Sequence, residues 1–225
     1  MNVYLVIVDT LADWEIGYLS AELHSRRFFA NPLAPFQLVK VGLTDAPVES
    51  MGGMTMTPDA RLDDIRMERG DLLVLPGSDI WEEPRAQAAL RFARDALGQG
   101  HNVAAICGAT SGLAQVGALD AYDHTSNDLD YLKATCPGYG GAARYRQQPA
   151  VRDRNLVTAT GLAPLEFTYE IFRLLDVMQP ATLEAWYQLH RTREARWFHA
   201  LVASMGPGLG SDPAGSDPSL PLQSR

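Results

Sequence analysis

The stretch Val103-Ala104-Ala105-Ile106-Cys107-Gly108-Ala109-Thr110-Ser111-Gly112-Leu113-Ala114 limits the fold of this chain more than any other. Ala104 to Ile106 form a short run that is apolar on both faces, the mark of a buried parallel strand. From Ala109 the pattern turns helical, with Leu113, Ala114 and Gly117 available to pack back on a sheet. Cys107 therefore falls where a strand turns sharply into a helix. That is the geometry of a nucleophile elbow, usually met with serine in the frame G-x-S-x-G. Here the frame is Ala105-Ile106-Cys107-Gly108-Ala109. A helix start offers free N–H groups and a positive dipole end, which favour the thiolate form of a cysteine. A buried free cysteine acting as a small hydrophobe is the bland alternative.

The flanking pattern supports an α/β fold: a three-layer sandwich with a mostly parallel sheet, helices on both faces and a flavodoxin-like winding. Val3 to Val8 is a compact strand, and Leu11 to Phe29 has helical spacing that ends at Asn31-Pro32. Phe36 to Val41 is a second strand. Val48 to Thr57 reads as short strand plus turn, and Pro58 suits the first turn of a helix bearing Leu62 and Ile65. Asp71 to Leu75 is another buried strand, closed by Pro76-Gly77. Glu82 to Leu97 is an amphipathic helix with Ala86, Leu90, Ala93 and Leu97 on one stripe. A short helix lies near Leu129 to Lys133. Ala142 to Tyr145 and Leu156 to Thr160 read as late strands, with Asp153-Arg154-Asn155 turning into the second. Leu165 to Met178 closes the core as a helix. Strands alternating with helices of this length imply a parallel sheet.

Residues 1–180 are thus read as one domain and 181–205 as a helical extension. Residues 206–225, rich in Gly, Pro, Ser and Asp, have the composition of a disordered tail. The extension carries an aromatic stripe from Trp186 to Phe198 that suits packing or a dimer contact. Across 225 residues the formal charge is −8 with no basic stripe, which argues against nucleic acid as a partner. Two cysteines, Cys107 and Cys136, give neither a metal spacing nor a disulfide framework. No metal or other cofactor is expected. The start MNVYLVIVDT has no basic leader region, and no apolar run is long enough to cross a bilayer, so a reducing cytoplasm is the expected setting.

In such sheets, reactive groups gather beyond the carboxyl ends of the strands. Three fall there: Glu15, Gly77-Ser78 and Cys107. Glu15, in Asp13-Trp14-Glu15-Ile16-Gly17, either complements the helix dipole or holds a buried carboxyl against the sulfur for proton relay. Backbone N–H groups of Gly77, Ser78 and Gly108 are candidates for an oxyanion pocket, although Pro-Gly is also an ordinary strand-ending turn. His124 is the best base among five histidines, and Asn127 beside it is placed to orient either substrate or His124. His101 precedes the Cys107 strand, at its far end. Cys136 has no base or helix start beside it and is read as inert.

These pieces resemble the PfpI/DJ-1 superfamily, whose fold is that of the class I glutamine amidotransferases. The matching residues are Asp13-Trp14-Glu15, Leu75-Pro76-Gly77 and Ala104 to Ala109, followed by Leu119 through Asn127 and Thr158-Ala159-Thr160-Gly161-Leu162-Ala163-Pro164-Leu165-Glu166-Phe167. The resemblance spans roughly residues 3 to 178. It implies an oxidation-prone nucleophilic cysteine at Cys107 in a strained backbone conformation, paired with a protonated acid at Glu15. It also implies a homodimer. Members include glyoxalase- and deglycase-like enzymes, chaperones and peptidase-like proteins. Gly108 stands where the peptidase-like members carry a histidine, and Asn127 where others carry one. The late His-x-Glu pair of true amidotransferases is absent, and Ser78 replaces a second glycine.

Three functions follow as expectations. The first is a cysteine-dependent enzyme, hydrolase or glyoxalase-like, acting on a small carbonyl or acyl compound. The second is a stress-response protein that senses oxidants through Cys107. The third is a non-catalytic dimeric scaffold.

Overall fold

The computed structural model describes residues 1–205, and the sequence-based expectation for 206–225 lies outside them. The chain divides into two compact units, the first from Met1 to Met178 and the second from Gln179 onward. In the first unit nine strands alternate with five helices. The strands are β1 (Asn2–Val6), β2 (Gln37–Gly42), β3 (Val48–Glu49), β4 (Thr55–Met56), β5 (Ala60–Arg61), β6 (Leu72–Leu75), β7 (Asn102–Ile106), β8 (Ala150–Asp153) and β9 (Leu156–Ala159). The helices are α1 (Asp13–Ser25), α2 (Gln87–Gly98), α3 (Gly108–Gln115), α4 (Leu129–Thr135) and α5 (Pro164–Leu175).

Seven strands form one sheet in the order β5-β2-β1-β6-β7-β9-β8, and β3 pairs with β4 as a separate small ribbon. Every neighbour in the large sheet is parallel except β8, which pairs antiparallel with β9. The chain winds from β1 to β2 on one side and then to β6 on the other, so the direction of winding reverses at β1. A crevice at the carboxyl end of such a switch point is where ligands collect in open parallel sheets. Leu72 to Leu75 and Val103 to Ile106 are sealed from solvent, as their unbroken apolar runs require, and so is Leu156 to Ala159, where the Thr158 hydroxyl accepts from the Thr125 N–H. Helices cover both faces; α1 packs with α5, and α2 packs with α3.

Several elements differ from their sequence-based bounds. Helix α1 stops at Ser25 rather than Phe29. Arg26 takes a left-handed conformation (φ 54°) and its N–H closes on the Glu22 carbonyl, while buried Glu22 binds the Arg27 guanidinium. Helix α2 starts at Gln87 rather than Glu82 because Pro84 disfavours helical backbone at Glu83. The intervening residues form 3₁₀ turns at Asp79–Glu82 and Pro84–Ala86. Pro58 opens no α-helix; β5 and a 3₁₀ turn at Leu62–Asp64 occupy that region. The strand expected at Ala142–Tyr145 is a 3₁₀ turn, Gly141–Arg144. The β8–β9 hairpin takes the edge instead, turning at Arg154 (φ 51°).

The second unit contains two helices, α6 (Pro180–Thr192) and α7 (Ala195–Ser204), which pack on each other. A single helix was expected from 181 to 205. Arg193 breaks it in a left-handed conformation (φ 60°), its N–H returning to the Leu189 carbonyl.

Candidate functional site

Cys107 joins β7 to α3 with φ 58° and ψ −127°, a conformation that an L-residue adopts only under constraint. The constraint comes from both sides. Its N–H donates to the Ala159 carbonyl on β9 at 3.1 Å, and its carbonyl accepts from the Thr110 N–H (3.0 Å) and hydroxyl (2.6 Å). The Thr110 hydroxyl is paired in turn with Ser126 at 2.6 Å. Strain of this kind costs about 1–3 kcal/mol and is held only where the surroundings over-determine it. The result is a half-buried sulfur at the floor of a cleft of about 610 Å³.

Glu15 reaches that sulfur from the first turn of α1 and is fully buried. Thr10 (φ 59°) bends the chain out of β1, and its hydroxyl binds Ser78 Oγ and accepts from the Asp79 N–H, both at 3.0 Å. The Ala12 N–H donates to the Gly77 carbonyl at 2.9 Å. These bonds lock the loop before α1 to the loop after β6. The Gly77 N–H then donates to Glu15 Oε2 at 2.6 Å, while Oε1 is buried with no nitrogen or oxygen donor among the described residues, and the carboxyl as a whole faces the Cys107 thiol. Burial pushes the Glu15 carboxyl above its ordinary range, against the pull of the Gly77 N–H.

Asn127 closes the third side. Its Oδ1 accepts from the Gly161 N–H at 2.8 Å, which orients the amide so that Nδ2 donates to Cys107 Sγ at 3.3 Å. The thiol is nevertheless pushed up from its ordinary value, first by burial and then by the neighbouring Glu15 carboxylate. The Asn127 amide and the Gly108 N–H pull it down. The helix-dipole expectation of a lowered thiol value is therefore opposed by burial beside an acid. The Glu15 carboxylate thus disfavours ionisation of the thiol, while the thiol's hydrogen bond favours ionisation of Glu15 against the opposing effect of burial, so of the two the carboxyl is the acceptor and the thiol the donor.

Two glycines make this approach possible. A Cβ at Gly77 would lie 2.7 Å from Glu15 Oε2 and 2.8 Å from Cys107 Cβ. At Gly161 it would lie 2.7 Å from Cys107 Sγ. Gly161 is a site residue that the sequence reading left unassigned. Its position just past the carboxyl end of β9, the strand beside β7, is the signal that would have found it. Trp14, whose Nε1 donates to the Gly161 carbonyl at 3.3 Å, and Tyr131 and Glu82 on the cleft wall were also missed.

The structure does not bring His124 to Cys107. Its ring is sealed from solvent, with Nδ1 against the Tyr122 carbonyl (2.7 Å) and Nε2 against the Tyr139 hydroxyl (2.6 Å). Burial pushes its value down, so the ring is neutral. Its backbone forms a single bridge with Tyr145, and the chain bends at Asn127, whose side chain reaches Cys107 while the His124 ring stays among the tyrosines. The proposed base is thus corrected: Asn127, not His124, touches the sulfur. Gly77 is corrected as well, since its N–H is taken by Glu15. The Ser78 N–H has no acceptor among the described residues, and Gly108 N–H lies against the sulfur. Cys136 is sealed, its thiol against the Ser111 carbonyl at 3.5 Å, and burial raises it too.

A doubly wound parallel sheet with a strained cysteine at the switch-point crevice defines the class. The DJ-1/PfpI family model matches residues 1–174, and the chain belongs to that family. Among similar proteins, one from Bacillus subtilis named uncharacterized protease YoaZ is 46% identical over 201 residues, covering 89% of this chain and 96% of its own. A second from the same organism, uncharacterized protease YdeA, is 33% identical over 186 residues, covering 83% and 89%. The crystal structure of a ThiJ/PfpI family protein from Bacillus anthracis superimposes with a TM-score of 0.88 at 44% identity, over 91% of this chain and 97% of that one. No described helix is long and apolar enough to cross a membrane.

Proposed function

We propose that this chain is a cysteine-dependent enzyme acting on a small electrophilic carbonyl compound, with Cys107 as nucleophile. The observation that carries the reading is the Cys107 sulfur held between the Glu15 carboxyl and the Asn127 amide, with no imidazole paired to it among the described residues. Addition forms an S–C bond and opens the C=O π bond. The thiol proton passes to Glu15 and from there to the new alkoxide, so one carboxyl serves as base and then acid. The free Ser78 N–H is the donor available to the developing oxyanion, while the Gly108 N–H supports the sulfur. For a 2-oxoaldehyde the same carboxyl then moves a proton from the sulfur-bearing carbon to its neighbour, and water releases a 2-hydroxy acid. The substrate needs no amine leaving group, which suits a site with no histidine beside its nucleophile.

The relatives' names raise peptide hydrolysis as a competing reaction. Expulsion of an amine needs an acid aimed at the leaving nitrogen, a role taken by imidazole in Cys–His enzymes. Turnover of methylglyoxal by the wild-type protein, lost in Cys107→Ala and in Glu15→Gln, is the expected result. Turnover retained without the sulfur, or Cys107-dependent cleavage of an unmodified peptide in its place, would exclude the reading.

A second reading is favoured by the contrast between the two thiols. Peroxide oxidises the half-buried Cys107 to sulfenate with release of water, and a second equivalent gives sulfinate, which the Glu15 carboxyl and Asn127 amide stabilise. Mass gain confined to Cys107 under mild peroxide is expected, and equal oxidation of Cys136 would remove its basis. In either case the acting species is proposed to be a cytoplasmic homodimer, to be checked by its mass in solution.

A further inference from the structure

The cleft above Cys107 has a one-sided charge. Its ionisable lining consists of the carboxyl groups of Glu15, Asp79, Glu82 and Asp128, the Cys107 thiol and the Tyr131 phenol, and no lysine, arginine or histidine lines it among the described residues. Asp79, Glu82 and Asp128 form no ion pair among the described residues. Arg85, on the adjoining 3₁₀ turn, is drawn away to Asp9 at 3.0 Å and Glu83 at 2.7 Å. Glu82 is tied instead to an aromatic ring, its Oε1 accepting from the Tyr131 hydroxyl at 2.9 Å. Across the cleft, Trp14 is half exposed while its indole N–H is pinned to the Gly161 carbonyl. An exposed indole, a phenol and several unneutralised carboxylates together suit an organic cation, which aromatic faces and carboxylates both attract. At the floor, fully buried Glu15 Oε1 has no nitrogen or oxygen donor among the described residues and lies beside the sulfur, so an N–H or O–H on the incoming molecule would be the first nitrogen or oxygen donor to reach it.

We infer that the cleft selects electrophiles carrying a positive charge, such as an ammonium- or guanidinium-bearing carbonyl compound, and rejects anionic ones such as 2-oxo acids. The cation sits against Tyr131 and Trp14, facing Glu82 and Asp79, while the carbon under attack reaches Cys107. This rests on the reading of Cys107 as an accessible nucleophile, and it adds the charge class of the substrate. Fields of this kind change encounter rates by about tenfold or more and weaken as salt is added.

Three methanethiosulfonates test it: the 2-(trimethylammonium)ethyl and 2-sulfonatoethyl reagents, which are comparable in size and opposite in charge, and the small neutral methyl reagent as a check on reactivity. In each, the thiolate attacks the sulfenyl sulfur, a disulfide forms and methanesulfinate leaves. Rates at Cys107, located by peptide mass, are divided by each reagent's rate with a small free thiol. At low ionic strength the cationic reagent is expected to exceed the anionic one by about tenfold or more. The ratio should fall at least severalfold in Asp79→Asn/Glu82→Gln and with added salt. Asp63→Asn, which removes the same kind of charge from an exposed turn outside the cleft, should leave the ratio in place. A ratio within twofold of one, or a ratio lowered equally by Asp63→Asn, overturns the selectivity while leaving the nucleophile intact. Failure of all three reagents at Cys107 overturns the nucleophile reading, and the selectivity with it.

Discussion

Half-buried Cys107 and fully buried His124 are both chemically capable side chains that follow the same central strand, and they have opposite surroundings. Around His124 every ring nitrogen is satisfied, and the rings of Tyr139 and Tyr145 meet it edge-on at 5.6 and 5.9 Å. The Tyr139 phenol is itself pushed up to about 12 by burial. The cluster has nothing left to offer a ligand. Around Cys107 the backbone is strained, Glu15 Oε1 has no nitrogen or oxygen donor, and the sulfur opens onto a cleft. A polar group whose partners are all internal serves the fold. One left incompletely matched beside an opening is available for chemistry.

The largest expected effect breaks the comparison at its reactive side. Cys107→Ala should abolish both methylglyoxal turnover and labelling, whereas Cys107→Gly should do so while raising stability by about 1 kcal/mol, because glycine accepts the positive φ. Thermal or denaturant unfolding of the two variants checks the difference. Next, Gly161→Ala should slow alkylation of Cys107 by about tenfold or more, since the added methyl must displace the sulfur, and lower stability by about 1–3 kcal/mol.

Asn127→Ala removes a donor to the sulfur. The thiol should then titrate higher, and alkylation at neutral pH should fall by about tenfold, as expected for a hydrogen bond to a charged group. The pH profile of alkylation is the readout. His124→Gln should do the reverse: unfold about 1–3 kcal/mol more easily for its lost partners, yet alkylate within about twofold of wild type. Slow alkylation in that variant would return His124 to the site.

The smallest effects are in pH dependence. Glu15 holds its proton more tightly folded than unfolded, so the stability it contributes is present below its ordinary value of 4.5 and is lost as pH rises through the higher folded value. Glu15→Gln should flatten that decline. His124 has the opposite sign. Its folded value lies below 6.5, so the stability it contributes is present above 6.5 and is lost as pH falls through the folded value.

Much of this molecule was legible before any coordinates. The apolar runs at Leu72–Leu75 and Val103–Ile106 read as buried parallel strands, and the small residues after Cys107 as the opening of a helix. Glu15 and Asn127 were also visible as residues near the crevice. What could not be read was direction. In the segment from His124 to Asn127 both polar ends looked usable, and only their tertiary partners decide between them: Tyr122, Tyr139 and Tyr145 hold His124 inward, while the Gly161 N–H orients Asn127 toward the sulfur. Likewise the Gly77 N–H looked free until α1 delivered a carboxylate to it.

The sequence alone determined the layered α/β order and the cysteine at the turn, because burial periodicity and helix-start chemistry are local properties of the chain. Only the tertiary structure decided which groups face that cysteine, how the acid beside it is left with one unmatched oxygen, and where the cleft's negative charge collects. Those outcomes depend on distances between residues far apart in the chain, and a change of one position in register or one left-handed residue reverses them.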